Sequence, residues 1–406
     1  MRARACSICV LVLLLNAPAT AQVVLSEADA LAKLSPDSPR VKAIRAQVEI
    51  ARADVIAASR WPNPRVTYDR ESVAGVTEGM TMIAQPLPIS GRRGLEAMAA
   101  SALVDSASQR ASDELRRVRA DLRLAYAALQ ASQMREKEIV RARDHLQEFA
   151  AVLQRREAAG DAAGFDRLRA EREVLELEAD RVSASVERGR AQAALAAFFS
   201  EAVDPSTIAA AAATMPPPVL PAIDAMFERA QTVRGELLAF QHEVSAARLQ
   251  LQAADRRVIP EPEVLGGTKS SSAAPGEVGG VFSVQATIPL FDRANAERAL
   301  ARARGAQAQA RADAFRLALR SQLAALRAAA EERRAAAEHY RSVAVAGADQ
   351  LERIAQVSYD AGERGILELL DAYRLAASAR VRLSSLDFAA REAEVELEFV
   401  SGWEIP

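Results

Sequence analysis

The amino-acid sequence predicts a mainly α-helical protein with a small β part, in which one structural plan occurs twice. Three observations support this prediction. Long stretches are rich in Ala, Arg, Glu and Leu, the aromatic content is only 4%, and a set of landmarks recurs at a nearly constant distance. Such a composition favours extended helices over a compact α/β core. The formal net charge is -2, and Arg and Glu alternate along the chain, so nothing indicates a nucleic-acid partner.

The recurring landmarks keep their order. The triplet PNP at residues 62–64 recurs as PEP at residues 260–262, which is 198 positions later. Pro88 matches Pro289 at an offset of 201. The stretch EAAGDAAGFDRLRAER recurs as YDAGERGILELLDAYR, with an offset of 202 between their first matching glycines. Three ordered landmarks at similar spacing indicate a duplication.

The duplication divides the chain into a first repeat at residues 22–214, a stiff proline-rich linker at 215–221 and a second repeat at 222–406. Each repeat is predicted to contain a helix that ends before the paired prolines, a β-hairpin, a very long helix, a glycine turn and another long helix. In the first repeat these elements cover about 26–60, 64–88, 92–159, 160–164 and up to 199. In the second repeat they cover about 222–258, 262–290, 294–360, 362–365 and up to 400.

The long helices carry a coiled-coil pattern of apolar residues, which step by three and four positions. The first stripe is Leu115, Val118, Leu122, Ala125 and Leu129, and the second is Phe315, Leu319, Leu323, Leu326 and Ala330. Arg116, Arg117, Arg119 and Arg123 are predicted to form a solvated outer face. Because one chain with such long helices has a thin core, we expect it to self-associate.

The first 21 residues have the pattern of a signal peptide. Arg2 and Arg4 precede an apolar run that is too short to span a bilayer, and a small-residue cleavage motif ends at Ala21. Both cysteines lie in this segment, so the mature chain is expected to have no thiol and no lipidated cysteine. No later apolar run reaches the roughly 18 residues of a membrane helix, so any membrane crossing is expected to use strands.

The hairpins show the alternation of β-strands. Phe282, Val284 and Ile288 alternate with polar residues, as do Val66 and Tyr68. The set Met80, Met82 and Ala84 is predicted as the apolar face of its strand, with Ile83 as an exception. Alternation alone leaves two interpretations open: bilayer-spanning strands, or a soluble hairpin that caps the helices.

Geometry links the membrane question to assembly. Four strands cannot close a barrel, since small barrels need about eight. Open strand edges are not tolerated in lipid. Strands in a membrane therefore require several chains, and three chains would supply twelve strands. The two properties are therefore predicted together: either the strands lie in a membrane and the chain is a trimer, or neither statement holds.

The whole pattern resembles the TolC-type outer-membrane efflux factor family. The resemblance rests on the duplicated order of elements, on IPLFDRANAERA with its echo QPLPISGRR, and on YDAGERGILELLDAYR with its weaker echo. The lack of long insertions is more similar to the CzcC-like branch, which serves heavy-metal and cation pumps of the resistance-nodulation-division (RND) type. The resemblance implies a homotrimer with a twelve-stranded β-barrel in outer-membrane lipid, continued by an α-helical barrel in the periplasm.

The resemblance also implies partners and site residues. The chain would conduct substrates passively, together with a periplasmic adaptor and an inner-membrane RND-type pump. The residues implied at the pore constriction are Glu368 and Asp371, with Asp166 and Arg169 as their first-repeat equivalents. The turn residues implied in adaptor docking are Gly160, Gly164, Gly362, Arg364 and Gly365.

The residues themselves indicate no catalysis. His145, His242 and His339 are dispersed, and we find no phosphate loop, nucleophile elbow or metal-spaced cluster, so we expect no enzyme, cofactor or metal site. Acids in a first helical turn are also favoured by the helix dipole, by about 0.3–1 kcal/mol each, which explains Glu368 better than Asp371. An alternative function is a soluble periplasmic coiled-coil adaptor or structural protein, although no lipoyl-like β-domain is visible.

Overall fold

The computed structural model describes residues 23–160, 164–212 and 219–403. The predicted signal peptide, and residues 215–218 of the predicted linker, lie outside this part. Within it the chain is mainly helical, with one four-stranded sheet, so the prediction of a mainly helical chain with a small β part and four long strands is confirmed. The helices are α1 Glu27–Ala32, α2 Pro39–Ser59, α3 Arg92–Ala158, α4 Gly164–Ala196, α5 Ile223–Val233, α6 Gly235–Arg256, α7 Asn295–His339, α8 Ala346–Asp360 and α9 Ile366–Ser401. The strands are β1 Val23–Leu25, β2 Arg65–Val73, β3 Val76–Pro86, β4 Ile208–Ala210, β5 Pro262–Ser271 and β6 Val278–Ala286.

The four long strands form an antiparallel sheet in the order β2-β3-β5-β6. Each repeat contributes one hairpin, and the two hairpins meet through β3 and β5. This leaves β2, from the first repeat, and β6, from the second, as the two edges. Because neighbouring strands run antiparallel throughout, the two edge strands are antiparallel to each other.

The helices continue this order in two layers. Next to the sheet, α3 packs between α2 and α6, and α6 packs against α7. Further from the sheet, α3 packs between α4 and α9, and α9 packs against α8. In both layers, as in the sheet, one edge belongs to the first repeat and the other to the second.

The predicted apolar stripes form the core between helices. Leu122 and Leu129 of α3 are fully buried, and Leu319 and Leu323 of α7 are 1% exposed. A separate apolar cluster at the far end of the helices joins α3, α4, α8 and α9. The layers are therefore held by interhelical packing along their whole length.

Three predicted helices are interrupted. The first helix is broken between α1 and α2, where Ser38 caps α2 and Pro39 occupies its first turn, which proline favours. The second repeat's first helix is broken at Arg234, whose backbone is extended and whose side chain is buried. A π-helical segment, Tyr340–Val345, separates α7 from α8, whereas the matching α3 is continuous.

A short parallel pair was not foreseen from the sequence. Strand β1 pairs with β4, and the Tyr126 hydroxyl donates a hydrogen bond to the Leu25 carbonyl over 2.9 Å. The pair fixes the start of the described chain against α3. Its three-residue strands are too short to show a periodic pattern, and they pair across most of the first repeat.

Candidate functional site

The turn between α8 and α9 is built by glycine. Helix α8 ends at Asp360, and Gly362 has a φ of 75°, the left-handed conformation that glycine adopts without strain. The Glu363 amide then donates to the Ser358 carbonyl over 2.9 Å, which satisfies a free end of α8. Gly365 is extended and directly precedes α9. Arg364 lies at the exposed tip, with no side-chain partner among the described residues.

The first two turns of α9 have a buried and an exposed face. Ile366, Leu369 and Leu370 are at most 5% exposed, and they join the apolar cluster formed with Phe149 and Leu153 of α3. The leucines of this turn therefore act in packing between hairpins.

Glu368 and Asp371 lie on the exposed face of the same turns. Within the described chain, neither carboxylate has an ion-pair or side-chain hydrogen-bond partner. This differs from most of the arginine-rich helical surface, where acids are paired. Two negative charges per chain are thus directed away from the packed core and left without compensation inside one chain.

The first-repeat turn is only partly described, since residues 161–163 lie outside the described ranges. Gly160 has a φ of 85°, like its counterpart Gly362. Gly164 begins α4 so close to Glu157 that an added Cβ would lie 2.5 Å from the Glu157 Oε1 atom. The left-handed backbone of Gly160 requires glycine, whereas the Glu157 side chain beside Gly164 can move aside.

The first-repeat equivalents of the acids have different surroundings. Asp166 is half-buried and lies near Tyr359 of the other hairpin. Burial is the main cause that raises the pKa of Tyr359, and the negative charge of Asp166 adds to it. Arg169 is exposed and has no partner among the described residues. The shared apolar cluster holds both turns at the same end of the helices.

One contact between the hairpins was missed from the sequence. Arg374 of α9 reaches Glu173 of α4, with 2.6 Å between Nε and Oε1, and the Glu173 side chain is 14% exposed. Nearby, burial raises the pKa of Tyr373 to about 12, and its hydroxyl donates to Gln356. Arg374 and Glu173 are 201 residues apart in the sequence, so no local pattern could have indicated that they pair.

The sheet has one apolar and one polar face. Val66, Ile83, Gly266 and Phe282 lie opposite one another across the four strands, and the three apolar side chains are 53–75% exposed. The opposite face carries ion pairs, Arg65 with Glu263 at 2.8 Å and Lys269 with Glu78 at 2.6 Å.

The prediction for β3 is wrong in its orientation. Met82 and Ala84 are buried on the ion-paired face, whereas Ile83 is the residue that shares the apolar face with Val66. The reason is the pairing register: Met82 packs beside Gly267, where an added Cβ would lie 2.6 Å from the Met82 sulfur. Ile83, which the prediction treated as an exception, is thus the residue of β3 that lies on the apolar face of the sheet.

The described residues contain no helix that is both long and apolar enough to cross a bilayer. They also contain no group of three or more metal-ligating side chains arranged for an ion. Of the histidines, His145 contacts the Tyr373 ring edge-on at 4.6 Å between centroids, and His242 lies 4.0 Å from Asp105.

Known proteins share features with this chain. Residues 227–402 match the family described as outer membrane efflux protein. The match covers less than half of the chain, and within it the chain is similar to outer membrane efflux proteins. The resemblance found in the sequence, together with the outer-membrane location that it implied, is confirmed.

The chain is also similar to proteins that are named for metal resistance. It is 26% identical to the nickel-cobalt-cadmium resistance protein NccC of Alcaligenes xylosoxydans xylosoxydans over 69% of this chain and 64% of the relative. It is 27% identical to the nickel and cobalt resistance protein CnrC of Cupriavidus metallidurans over 69% and 67%. The match thus spans less than two thirds of the length of NccC.

Solved structures share the fold over nearly the whole chain. CusC superposes with a TM-score of 0.78 at 16% identity, covering 94% of this chain and 93% of CusC. A membrane protein from Pseudomonas aeruginosa gives 0.77 at 20% identity, covering 93% of each chain. At these identities the likeness shows the fold alone.

A half-buried charge cluster joins helices α1, α3 and α9. Arg123 of α3 pairs with Glu27 of α1 and Glu398 of α9, and Arg391 lies 3.0 Å from Glu27. Burial raises the pKa of Glu398 in spite of these arginines. Burial also disfavours the charged form of Arg123, but its bonds to Glu398 and Glu27 raise the pKa of Arg123 overall.

The prediction that this row of arginines is a solvated outer face is therefore wrong, except for the exposed Arg119. Arg116 donates to the Phe399 carbonyl over 2.9 Å, and Arg117 binds both oxygens of Glu396. These arginines join the first repeat to the second. A carboxylate partner more than 270 residues away cannot be identified from helical periodicity.

Proposed function

We propose that three copies of this chain form an outer-membrane channel that conducts solutes passively from the periplasm to the outside. The observation that carries this proposal is the common order of the sheet and both helical layers. Each runs from a first-repeat element at one edge to a second-repeat element at the other. Copies placed side by side therefore bring unlike, complementary edges together at every level, and such a heterologous contact can close into a ring.

The sheet supports closure by its edges. Strands β2 and β6 are antiparallel to each other, so β6 of one copy can continue the ladder with β2 of the next. Three copies of the four strands would give twelve. Full closure removes the unpaired edge groups that a lipid environment does not tolerate.

The apolar face of the sheet would then meet lipid. Val66, Ile83 and Phe282 are among the exposed apolar residues of this face. The ion-paired face would line the lumen, as the alternation of a membrane barrel requires.

The helical edges are apolar where the single chain leaves them uncovered. On α4, Leu168, Leu175, Val182 and Val186 are 51–70% exposed. Their spacing of seven, seven and four residues follows a coiled-coil seam. On the opposite edge, Ile354 and Val357 of α8 are 50% and 69% exposed. We assign these two stripes to the contact between neighbouring copies.

The unpaired acids give the channel a place for selectivity. Three copies of Glu368 and Asp371, directed at a common axis, would repel one another and attract cations. Asp166 and Arg169 from the first repeats would make the ring mixed in charge. The turns that contain Gly160, Gly164, Gly362, Arg364 and Gly365 would dock a periplasmic adaptor, which connects the channel to an inner-membrane RND-type pump. We take divalent metal cations as the cargo class, since NccC and CnrC are metal-resistance proteins by name.

Single-channel recording in planar bilayers tests this function. We expect the wild-type channel to prefer cations, and a Glu368→Ala, Asp371→Ala variant to lose most of that preference and to conduct more at rest. Glu332→Ala, which removes an exposed acid of α7 far from the turn, is the control and is expected to leave both properties unchanged. Equal cation preference in the wild type and the double variant would show that these acids do not line the constriction.

The alternative function, a soluble periplasmic coiled-coil adaptor or structural protein, is disfavoured by the exposed apolar face of the sheet. Membrane fractionation separates the two. The channel proposal expects the chain in the outer-membrane fraction as a heat-stable oligomer, whereas a soluble monomer would support the alternative.

A further inference from the structure

The long helical hairpin of the second repeat changes helical type in its middle. The segment Tyr340–Val345 is π-helical and joins α7 to α8, whereas α3, its counterpart in the first repeat, is one continuous α-helix of 67 residues. A π turn holds one residue more than an α turn, and single π turns are frequent at functional sites. Sharp bends in helices are found mostly at prolines, at glycine or serine pairs and at π turns.

Serine side chains compete for backbone carbonyls in both helices of this hairpin. The Ser342 hydroxyl of the π-helical segment donates to the Glu338 carbonyl over 2.9 Å. On α9, the adjacent hydroxyls of Ser384 and Ser385 both donate to the Val381 carbonyl, over 2.8 and 3.4 Å. Serine hydroxyls that bond back to a carbonyl about one turn earlier slightly destabilise a helix and often bend it. Each helix of the hairpin therefore has a weak point.

One ion pair shows that the two weak points lie at the same level. Arg341 reaches Asp387 of α9, with 2.7 Å between Nη2 and Oδ1, and Asp387 is within one helical turn of Ser384. The two side chains are 47% and 45% exposed, and an ion pair of such exposure contributes little to stability. Burial raises the pKa of Asp387 in spite of the neighbouring arginine. The contact between the helices can therefore open at small cost.

The apolar packing of the hairpin is interrupted at this level. The cluster on the sheet side ends at Ala330 of α7 and Ala393 of α9. The cluster at the far end begins at Ala355 of α8 and Tyr373 of α9. Between the two clusters, the buried side chains that the structure describes on these helices are alanines and Ser384. Because these side chains are small, a bend at this level disturbs little apolar area.

Ion pairs join the helices firmly on either side of the gap. On the sheet side, Arg333 lies 3.0 Å from Glu392. On the far side, Arg380 lies 2.6 Å from Asp349. We call α8 and residues 366–383 of α9 the tip segment. Its helices are joined to each other beyond the weak level, so they can move as one body.

We infer that the second hairpin bends at a hinge, formed by Tyr340–Val345 and the two serines of α9, and that the contact between Arg341 and Asp387 restrains this bending. The continuous helix α3 provides the fixed reference for the movement. The tip segment carries Glu368 and Asp371, so bending changes the distance of these acids from the first-repeat turn. The inference goes beyond the proposed channel, because it concerns the mechanics of a single chain.

Hydrogen–deuterium exchange, measured by mass spectrometry on the purified protein in detergent, tests the hinge first. We expect the amides of residues 340–345 to exchange about tenfold faster than those of residues 138–143, the matching part of α3. Asp387→Asn removes the restraining charge and is expected to accelerate exchange at 340–345 by a further two- to fivefold or about that. Glu392→Gln breaks a pair of similar exposure on the sheet side and is the matched control, expected to leave this exchange unchanged.

Distances between spin labels show whether the hairpin bends or only frays locally. Both cysteines of the chain lie in the predicted signal peptide, so labels can be attached to introduced cysteines. Arg155→Cys on α3 with Arg353→Cys on α8 places two exposed labels across the two hairpins. Residue 353 is ten residues, or about 15 Å, beyond the middle of the π-helical segment. A bend of about 20° displaces it by about 5 Å, and we expect a distance distribution broadened by this amount.

Met134→Cys with Glu332→Cys is the matched control pair. Both positions are exposed, they also lie on α3 and on the second hairpin, and residue 332 is on the sheet side of the hinge. We expect a narrow distribution for this pair. Labelled chains are mixed with an excess of cysteine-free chains, so that distances between neighbouring copies do not contribute.

Deletion of Ser342 removes the surplus residue of the π turn and leaves both flanking helices in their original register. We expect the distribution between positions 155 and 353 to narrow to that of the control pair, and exchange at 340–345 to slow. Equal protection of 340–345 and 138–143 in the wild type would contradict the hinge. Fast exchange with a narrow distribution would show local fraying and would also overturn it. None of these measurements uses lipid or conduction, so the hinge and the channel can fail independently.

Discussion

At the scale of single residues, two neighbouring glycines show how closely the strands approach. An added Cβ at Gly267 would lie 2.0 Å from the Thr81 carbonyl oxygen and 2.9 Å from the Met82 Cα, whereas Gly266 has open space. Gly267→Ala therefore requires β3 and β5 to separate, and we expect it to cost about 1–3 kcal/mol. Gly266→Ala is the matched control and is expected to be close to neutral. Thermal unfolding in detergent, followed by circular dichroism, compares them; equal midpoints would contradict the close approach.

The charge cluster gives a second prediction at this scale. Arg123→Ala leaves the buried Glu398 without its main partner, and we expect a loss of about 3–5 kcal/mol. Arg135→Ala breaks a pair with Glu187 in which both side chains are more than 40% exposed, and we expect a loss of at most about 1 kcal/mol. The same unfolding measurement applies. A similar small loss for both variants would show that the cluster is effectively solvated.

At the scale of elements, the exposed stripe of α4 is predicted to hold neighbouring copies together. Val182→Glu with Val186→Glu places two charges in that seam, where they would lose hydration without gaining a partner. We expect the oligomer to dissociate while the helical content of the chain is kept. Ser183→Glu adds a charge on the same helix at an exposed position between the two valines in sequence, and it should leave the oligomer intact. Light scattering coupled to gel filtration measures the difference; an intact oligomer in the double variant would remove α4 from the interface.

The sequence predicted elements where a local pattern carries the information. The heptad stripes of α3 and α7 and the alternation in β6 are local, and they correctly indicated long packed helices and an apolar strand face. The orientation of β3 failed because its faces depend on register with β5, not on its own residues. The π-helical segment, the break at Arg234 and the β1–β4 pair likewise depend on contacts between distant parts of the chain.

The local features of the candidate site could be predicted from the sequence, whereas its contacts between hairpins could not. The glycine turns and the position of Glu368 and Asp371 follow from the repeat and from helical spacing, and the structure leaves both acids exposed and unpaired. The link between Arg374 and Glu173, and the half-buried state of Asp166, depend on how the hairpins pack, so the sequence could not show them. Whether the acids face a common axis is a property of the assembly and remains a prediction.

At the scale of the whole molecule, the central claim concerns assembly. The sheet and both helical layers each run from a first-repeat edge to a second-repeat edge, and we propose that three copies join these edges into a ring. Because this order is the same in the sheet and in both helical layers, a single ring would pair the open edges of all three. An exposed apolar sheet face, unpaired strand edges and uncovered helical stripes would otherwise all remain open to solvent. These uncovered surfaces are what the proposed contact between neighbouring copies would bury.

Native mass spectrometry of the protein released from detergent micelles tests this claim most directly, because it counts the chains in the assembly. We predict a single dominant species with the mass of three mature chains. A monomer or a dimer as the only species, under conditions that preserve the helical content, would contradict the account.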